Sequence, residues 1–262
     1  MENIRIDKAG GVTTVTLARP TSLNAITPDM HDELEAAFNA FAADSAQEIC
    51  VITGEGRGFC AGSDLKAVAA GGHRAYPVHG YAGLIERFDC PKPFIAAVNG
   101  VAMGGGFEIA LACDLIIAAE SASFALPEPL VGALALGGGL HRLTRQIGTK
   151  QAMGMILTGR RVSAADGFRL GFVNEVVPDA DLMDVTRNWC DAILKCSPMS
   201  VRASKETAMR GLDEPSLAAS MTAQERYPAF AAWRSSEDAR EGPRAFAEKR
   251  PPRWQGRTGD TR

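Results

Sequence analysis

The feature that most constrains this chain is a long apolar stretch from Pro93 to Ala119. The stretch is long enough to cross a bilayer, but Asn99, Glu108 and Asp114 place polar groups inside it, and three glycines at 104–106 interrupt it. We therefore expect two buried pieces of secondary structure joined by a turn, and no membrane span. A carboxylate inside such a stretch needs a partner or a chemical role.

Strand patterns alternate with helical patterns along much of the chain. The strand-type runs are β-branched with a period of two or continuously apolar, and they lie at 12–17, 49–53, 94–98, 115–119 and 173–177. Thr27 and Pro28 predict the start of a helix after the first run, with an apolar stripe formed by Met30, Leu34, Ala37, Phe38 and Phe41. Gly-rich turns at 54–62 and 99–106 follow two of the strands and indicate a repeated unit. The sequence predicts a sequential α/β fold.

Helical patterns dominate after Gly137. Helix starts are predicted at Ser163 and near three prolines, Pro178, Pro198 and Pro215. We expect an α/β core that carries the functional site in residues 1–195 and a helical region in 196–262. The aperiodic stretch from Lys66 to Cys90 predicts a mobile loop followed by a short helix.

Composition excludes several classes of protein. With 46% hydrophobic and 23% charged residues, the 262-residue chain has the profile of a globular protein, and its net charge of -3 gives no broad positive field for nucleic acid. Six cysteines without a C-x-x-C pair indicate reduced thiols. The first residues show no leader pattern, so we expect a cytoplasmic location. The four histidines are scattered; we expect them on the surface or in loops, and we expect no metal site.

Two glutamates stand in apolar surroundings. Glu108 follows the three glycines in the first turn of a predicted helix, and Glu128 lies between Pro127 and Pro129, which exclude a regular helix there. At an exposed helix start a glutamate would only stabilise the helix dipole, but the apolar neighbours of Glu108 favour a functional role. We expect burial to raise the pKa of Glu128 and the helix start to lower the pKa of Glu108, an arrangement that suits one acid and one base.

Two Gly-rich turns offer backbone N–H groups. The glycines at 104–106 permit close approach of a ligand to a helix start, and Ser63 in the turn at 60–64 offers a second donor. A pair of such donors would stabilise an oxyanion, although simple tight packing explains the glycines equally well. A dinucleotide fingerprint is matched only in part, at 56–61, without the acidic residue that should follow it.

Three segments together resemble the crotonase, or enoyl-CoA hydratase/isomerase, family: AGSDLK at 61–66, NGVAMGGGFEIALACD at 99–114 and FALPEPLVG at 124–132. The resemblance extends over nearly the whole chain. It implies a core of repeated ββα units, a helical C-terminal trimerisation region, and a homotrimer or homohexamer. The final segment, with FALPE, is similar to the carnitinyl-CoA dehydratase branch of the family.

The resemblance also implies the site. Acyl-CoA thioesters are the substrates, coenzyme A being their carrier rather than a separate cofactor, and the backbone N–H groups of Ser63 and Gly105 hold the thioester oxygen. Glu108 activates water and Glu128 delivers a proton to the α carbon. The remaining residues implied to contact the acyl-CoA, the last two from a neighbouring subunit, are Arg19, Leu23, Ala25, Ala61, Asp64, Leu65, Lys66, Gly104, Phe246 and Lys249.

The function implied is hydration of a trans-2-enoyl-CoA. Carnitinyl-CoA dehydration, a shift of the double bond from position 3 to position 2, thioester hydrolysis and a non-catalytic scaffold remain as alternatives. Ala135 stands where the family usually has proline, and Leu136 where a glycine helps to position water, so the placement of the water can differ here. The loop from Ala67 to Cys90 is expected to shape the acyl pocket.

Overall fold

Ten strands form two sheets in the part of the chain that the computed structural model describes, residues 3–69 and 75–256. Their bounds are Ile4–Ala9 (β1), Val12–Leu17 (β2), Ile49–Gly54 (β3), Gly58–Cys60 (β4), Phe94–Val98 (β5), Val101–Met103 (β6), Leu115–Ala119 (β7), Ser123–Ala125 (β8), Val162–Ser163 (β9) and Glu175–Val177 (β10).

The larger sheet has the strand order β1-β2-β3-β5-β7-β10, and it is parallel except for the antiparallel pair β1 and β2. The smaller sheet has the order β4-β6-β8-β9, with β8 and β9 antiparallel. The central strands β3 and β5 are buried on both faces, as their continuous apolar runs predict for a parallel sheet. All ten strands lie in the first of two compact units, Met1–Arg87 with Phe94–Asn188.

Eleven α-helices lie within the same described residues. Their bounds are Pro28–Ala43 (α1), Leu65–Ala69 (α2), Gly105–Ala112 (α3), Gly139–Gln146 (α4), Thr149–Ile156 (α5), Ala164–Leu170 (α6), Leu182–Leu194 (α7), Pro198–Gly211 (α8), Leu217–Ala223 (α9), Pro228–Arg234 (α10) and Asp238–Ala247 (α11). Short 3₁₀ helices occur at Pro20–Ser22, Tyr81–Gly83, Glu128–Val131, Asp179–Asp181 and Gln224–Arg226.

The ββα repeat implied by the family resemblance is confirmed. In each repeat one strand enters the larger sheet, the next enters the smaller sheet, and a helix follows: β3, β4 and α2, then β5, β6 and α3. The third repeat, β7 and β8, leads into the 3₁₀ helix Glu128–Val131. The repeats therefore place Ser63, Gly105 and Glu128 at equivalent points, where strands of the smaller sheet end.

Helix α1 confirms the predicted cap and stripe. The Thr27 side chain accepts a hydrogen bond from the Met30 N–H, and Pro28 occupies the first helical position. The predicted stripe is the buried face of the helix. Its Phe38 and Phe41 meet Phe94 of β5 edge to face, with ring centroids 5.6 and 5.3 Å apart, and this contact fixes α1 on the larger sheet.

The second unit comprises Phe88–Pro93 and Trp189–Arg262. Helices α8 and α10 pack together in it. The buried Glu241 accepts hydrogen bonds from the guanidinium groups of Arg244 and Arg250 and from the Arg253 N–H, and this ties the C-terminal segment to α11. The helical character predicted for the C-terminal region is observed, whereas its role in oligomerisation stays a prediction.

Sequence patterns miss half of the strands. None is predicted at β1, β4, β6, β8 or β9, and β10 begins two residues later than its pattern. The strands of the smaller sheet have two or three residues, too few to show a period. Helix α3 begins at Gly105, inside the Gly-rich turn predicted at 99–106. Residues 70–74, within the predicted mobile loop, and 257–262 lie outside the described residues.

The apolar stretch from Pro93 to Ala119 folds as four elements, β5, β6, α3 and β7, rather than as the two pieces expected. They are largely buried and joined by turns, as predicted. Among the described helices, none combines the length and the hydropathy needed to span a membrane.

Candidate active site

Two Gly-rich turns meet at the start of α3. Gly62 has a φ of 88°, and a Cβ atom placed on it would lie 3.2 Å from the Gly105 nitrogen. The turn is held by Ile26, whose N–H donates to the Gly62 carbonyl and whose carbonyl accepts from the Asp64 N–H. In a parallel bridge a residue bonds to the two neighbours of its partner rather than to the partner itself. Ser63 is the partner of Ile26, so its N–H points away from Ile26. The Gly105 N–H, in the first turn of α3, has no acceptor within its own helix. The two amides predicted as oxyanion donors therefore belong to adjoining turns.

Glu108 is buried, with 3% of its surface exposed. Its Oε1 accepts a hydrogen bond of 2.8 Å from the Gly139 N–H. A Cβ on Gly137 would lie 2.5 Å from Oε2, so only glycine fits beside this carboxylate. The Gly-rich segment before α4 thus forms one wall around Glu108.

The pKa of Glu108 is raised to about 7, contrary to the expectation from its place on the helix. Burial is the main cause, and the charge of Glu128 raises the pKa further, whereas the amides of Gly139 and Gly137 and the charge of Arg142 lower it. The prediction was wrong because the loss of hydration of a buried carboxylate outweighs the helix dipole.

Glu128 begins the 3₁₀ helix Glu128–Val131, a short element in place of the loop that its two prolines predict. Burial raises its pKa, as expected. Its Oε1 lies 2.9 Å from the position that a Cβ on Gly104 would occupy, and its buried Oε2 has no hydrogen-bond partner among the described residues. Glu108 on α3 and Glu128 on the segment after β8 therefore lie near each other, since the charge of Glu128 acts on Glu108.

Three aromatic rings that the sequence does not single out pack together, and one of them lies on the turns that contain Ser63 and Gly105. The His31 ring meets Tyr76 and Tyr81 edge to face, at centroid distances of 5.0 and 4.7 Å. The Tyr81 ring packs directly on Gly105, and its hydroxyl lies 3.2 Å from Ser63 Oγ. The carboxylate of Glu108 contributes to a raised pKa of Tyr76, after burial, so the ring of Tyr76 lies near it. The glycines that flank Tyr81 and Ala82 are the one sequence signal of this tight arrangement.

The expectation for the histidines is wrong for His31. The Ala82 N–H donates to its Nδ1 at 2.9 Å, and burial lowers its pKa to about 4. His79 Nδ1 lies 2.6 Å from a carboxylate oxygen of Glu35, whereas His141 is exposed. His73 lies outside the described residues.

Most of the predicted acyl-CoA contacts of the first unit lie in two segments, 19–25 and 61–66, whose exposure varies: Ala25 is buried, whereas Leu65 and Lys66 are exposed. The Ala61 N–H donates to the Leu23 carbonyl, which joins the 19–25 segment to the turn at 60–64. Arg19 donates to the Ala25 carbonyl and forms an ion pair of 3.1 Å with Asp64, so part of its guanidinium organises this segment. Leu65 and Lys66 are exposed at the start of α2. Phe246, with 87% of its surface exposed, and Lys249 lie in the second unit.

Comparison with known proteins supports the family resemblance. The family model described as enoyl-CoA hydratase/isomerase matches residues 7–257. Carnitinyl-CoA dehydratase from Proteus mirabilis (strain HI4320) is 41% identical over 263 residues, which cover 98% of this chain and 99% of that protein. The same identity and coverage hold for carnitinyl-CoA dehydratase from Salmonella agona (strain SL483).

Solved structures give the same result. The crystal structure of enoyl-CoA hydratase from Mycobacterium tuberculosis H37Rv has a TM-score of 0.91 and 34% identity, covering 98% of this chain and all of that one. The enoyl-CoA hydratase of Mycobacterium marinum has a TM-score of 0.91 and 36% identity, with the same coverage. From its sequence and its fold, this chain belongs to the enoyl-CoA hydratase/isomerase family.

Proposed function

We propose that this chain catalyses the reversible addition of water to the double bond of a trans-2-enoyl-CoA. One observation carries the proposal: the buried Glu108 and the half-buried Glu128 lie near enough for the charge of one to act on the other, and both adjoin the glycine turn that holds the amide of Gly105. Burying two like charges together destabilises a protein, so a site that keeps both is better explained by chemistry than by structure.

The two amides would stabilise negative charge on the thioester oxygen. Attack of water on C3 of the enoyl group moves the electrons of the double bond towards the carbonyl and produces an enolate. The Ser63 and Gly105 N–H groups are fixed by their turns before the substrate arrives, so they would stabilise this enolate without reorganisation. Loss of one such donor typically lowers kcat by about 100- to 1000-fold.

The two carboxyl groups would then move the protons. The ionised carboxylate of Glu108 accepts a proton from water as the oxygen bonds to C3, and the protonated Glu128 donates its proton to C2. A pKa of about 7 suits Glu108, since a base works best when its pKa lies near the working pH. Burial raises the pKa of Glu128 in the direction that an acid needs. Because the charge of Glu128 also raises the pKa of Glu108, Glu128 ionises first in the free protein, and its role as the acid rests on the family resemblance.

The segment formed by residues 19–25 and 61–66 would bind the coenzyme A part of the substrate. Two cationic groups are available to phosphates there. One is the exposed Lys66, and the other is the part of the Arg19 guanidinium that is not used in the ion pair with Asp64. Phe246 and Lys249 would complete the site from a neighbouring copy of the chain. We propose no cofactor beyond the coenzyme A that the substrate itself carries.

Crotonyl-CoA tests the reaction, because hydration removes the conjugated double bond and lowers the absorbance of the thioester. Replacing Glu108 or Glu128 by Gln should reduce turnover by orders of magnitude while coenzyme A binding, measured by calorimetry, stays nearly unchanged. An undiminished rate in either variant would reject the proposed roles. A rise in absorbance with a 3-enoyl-CoA, without hydration of crotonyl-CoA, would indicate the isomerase alternative, and release of free thiol would indicate hydrolysis.

Dehydration of carnitinyl-CoA is the second candidate. The names of the relatives from Proteus and Salmonella support it, and so do the rings of Tyr76 and Tyr81, on both of which the charge of Glu108 acts. Aromatic faces and carboxylates attract a quaternary ammonium group, which the carnitinyl chain carries next to its hydroxyl-bearing carbon. A higher kcat/KM with carnitinyl-CoA than with neutral 3-hydroxybutyryl-CoA would identify this reaction; the reverse order would favour the general hydratase.

A further inference from the structure

We propose that the Tyr81 hydroxyl is a third hydrogen-bond donor to the thioester oxygen, beside the amides of Ser63 and Gly105. The proposal rests on the proposed function, because it concerns the same oxygen of the same substrate class. It assigns to Tyr81 a direct contact with the reacting group.

The position of Tyr81 is the first argument. Its side chain is buried, with 3% of the residue exposed, and its hydroxyl oxygen lies 3.2 Å from Ser63 Oγ. A Cβ placed on Gly105 would lie 2.4 Å from the same oxygen, so Tyr81 occupies the space that the missing side chain leaves open. The hydroxyl therefore adjoins both residues whose amides are proposed to hold the oxyanion.

Hydrogen-bond accounting is the second argument. The Ser63 and Tyr81 hydroxyls have one hydrogen each but share a single bond of 3.2 Å, so one of the two hydrogens has no acceptor among the described residues. With Ser63 as the donor, that hydrogen belongs to the buried Tyr81. An unsatisfied buried donor is costly unless a ligand completes it, and the bond received from Ser63 makes Tyr81 a stronger donor.

The backbone is the third argument. Ala82, the next residue, has a φ of 55°, in the left-handed region that side chains rarely adopt, and it lies between Gly80 and Gly83, whose φ values are also positive. The Ala82 N–H is held by His31 Nδ1 at 2.9 Å, and the His31 ring contacts the Tyr81 ring. A strained conformation that its surroundings stabilise is typical of functional sites, and here it fixes the direction of the Tyr81 side chain.

The chemistry of the phenol agrees with this role. Burial raises the pKa of Tyr81 well above its usual range, so the hydroxyl keeps its proton at every pH at which the enzyme would work. It would donate to the enolate oxygen without transferring the proton. A hydrogen bond to a charged group contributes more than one between neutral groups, so this contact would act mainly in the transition state.

The test uses Tyr81→Phe and two measurements on the full chain. The first is kcat/KM for crotonyl-CoA, which should fall about 10- to 100-fold, as expected for the loss of a hydrogen bond to a charged acceptor. The second is the absorption of bound 4-(dimethylamino)cinnamoyl-CoA, a conjugated thioester that absorbs at longer wavelength when its carbonyl oxygen is polarised. The variant should bind this probe with nearly the same Kd and show a smaller shift in wavelength.

Tyr227→Phe is the matched control. It deletes the same atom and the hydrogen bond between Tyr227 and Glu214, at a buried tyrosine of the second unit, and should leave kcat/KM and the wavelength shift unchanged. A full shift and unchanged kcat/KM in Tyr81→Phe would overturn the proposal. So would a lower melting temperature or weaker probe binding with the full shift retained, because that pattern shows a structural role.

Ser63→Ala provides a second variant if Tyr81→Phe does not fold. It keeps the backbone amide and removes only the bond that Tyr81 accepts, so the wavelength shift should be smaller than in the unaltered chain; an unchanged shift would contradict the proposal. If the unaltered chain hydrates no enoyl-CoA but the probe shift falls in Tyr81→Phe, the proposed reaction fails and the role of Tyr81 stands.

Discussion

At the scale of the residue, Glu108 has a carboxyl group whose properties the surrounding fold sets. It receives one amide hydrogen bond from Gly139, yet burial raises its pKa from the usual 4.5 to about 7. Between pH 4.5 and about 7 the folded protein therefore keeps a proton on Glu108 that the unfolded chain has released. The resulting loss of stability is absent below pH 4.5, grows between pH 4.5 and 7, and is complete above pH 7.

Replacing Glu108 by Gln removes this dependence. Because each pKa unit corresponds to about 1.4 kcal/mol, the variant should gain up to about 3 kcal/mol in free energy of unfolding at pH 8 and almost nothing at pH 4.5. Chemical denaturation at both pH values measures the difference. Glu120→Gln, at an exposed site, is the control and should change the free energy of unfolding by the same amount at pH 4.5 and pH 8. A gain for Glu108→Gln that does not depend on pH would contradict the raised pKa.

At the scale of the element, the start of α3 approaches β4 more closely than a side chain permits. A Cβ on Gly106 would lie 2.1 Å from the carbonyl oxygen of Cys60, an atom of the backbone that cannot turn aside. Of the two roles left open by the sequence for the glycines at 104–106, the structure therefore shows the tight packing, and it leaves room for the proposed oxyanion role. The glycines allow tight packing of a helix against a strand, and the same contact brings the amide of Gly105 to the turn that contains Ser63.

Gly106→Ala tests the importance of this contact. Alanine favours a helix by about 1 kcal/mol over glycine, but here we expect a net loss of about 1 to 3 kcal/mol of stability, because the methyl group overpacks the interface. Thermal unfolding should show a lower Tm. Gly154→Ala is the matched control: Gly154 also lies inside a helix, α5, and a Cβ there meets nothing closer than 3.9 Å. An equally stable Gly106→Ala protein would show that α3 can shift without cost.

At the scale of the whole molecule, large apolar side chains are exposed in both units. Four of them, 64 to 77% exposed, lie close together in the sequence before α4: Leu130, Val131, Leu134 and Leu136. Others are exposed in the second unit, at Met209, Leu212, Leu217 and Met221. Clustered exposed apolar side chains are typical of surfaces that a partner covers.

We therefore predict a homo-oligomer of three or six chains, as the family resemblance implies. Light scattering after size-exclusion chromatography should give three or six times the mass of one chain. Leu217→Glu in the second unit should shift the distribution towards smaller species, whereas a charge at the exposed Thr158, as in Thr158→Glu, should have a smaller effect because no large apolar side chain is lost. A monomer over the working concentration range would contradict the prediction.

The sequence was enough to predict five of the six strands of the larger sheet, the cap and buried face of α1, and the presence of two glutamates and a glycine run in apolar surroundings. These follow from local patterns, which a chain carries wherever it folds. Tertiary structure alone decided the smaller sheet, whose strands are too short to show a period, and the partnership of Tyr81 with Ser63 and His31, which joins residues distant in sequence. It also decided the pKa of Glu108: a helix dipole can be inferred from position, but the loss of water around a carboxylate depends on every segment that packs over it.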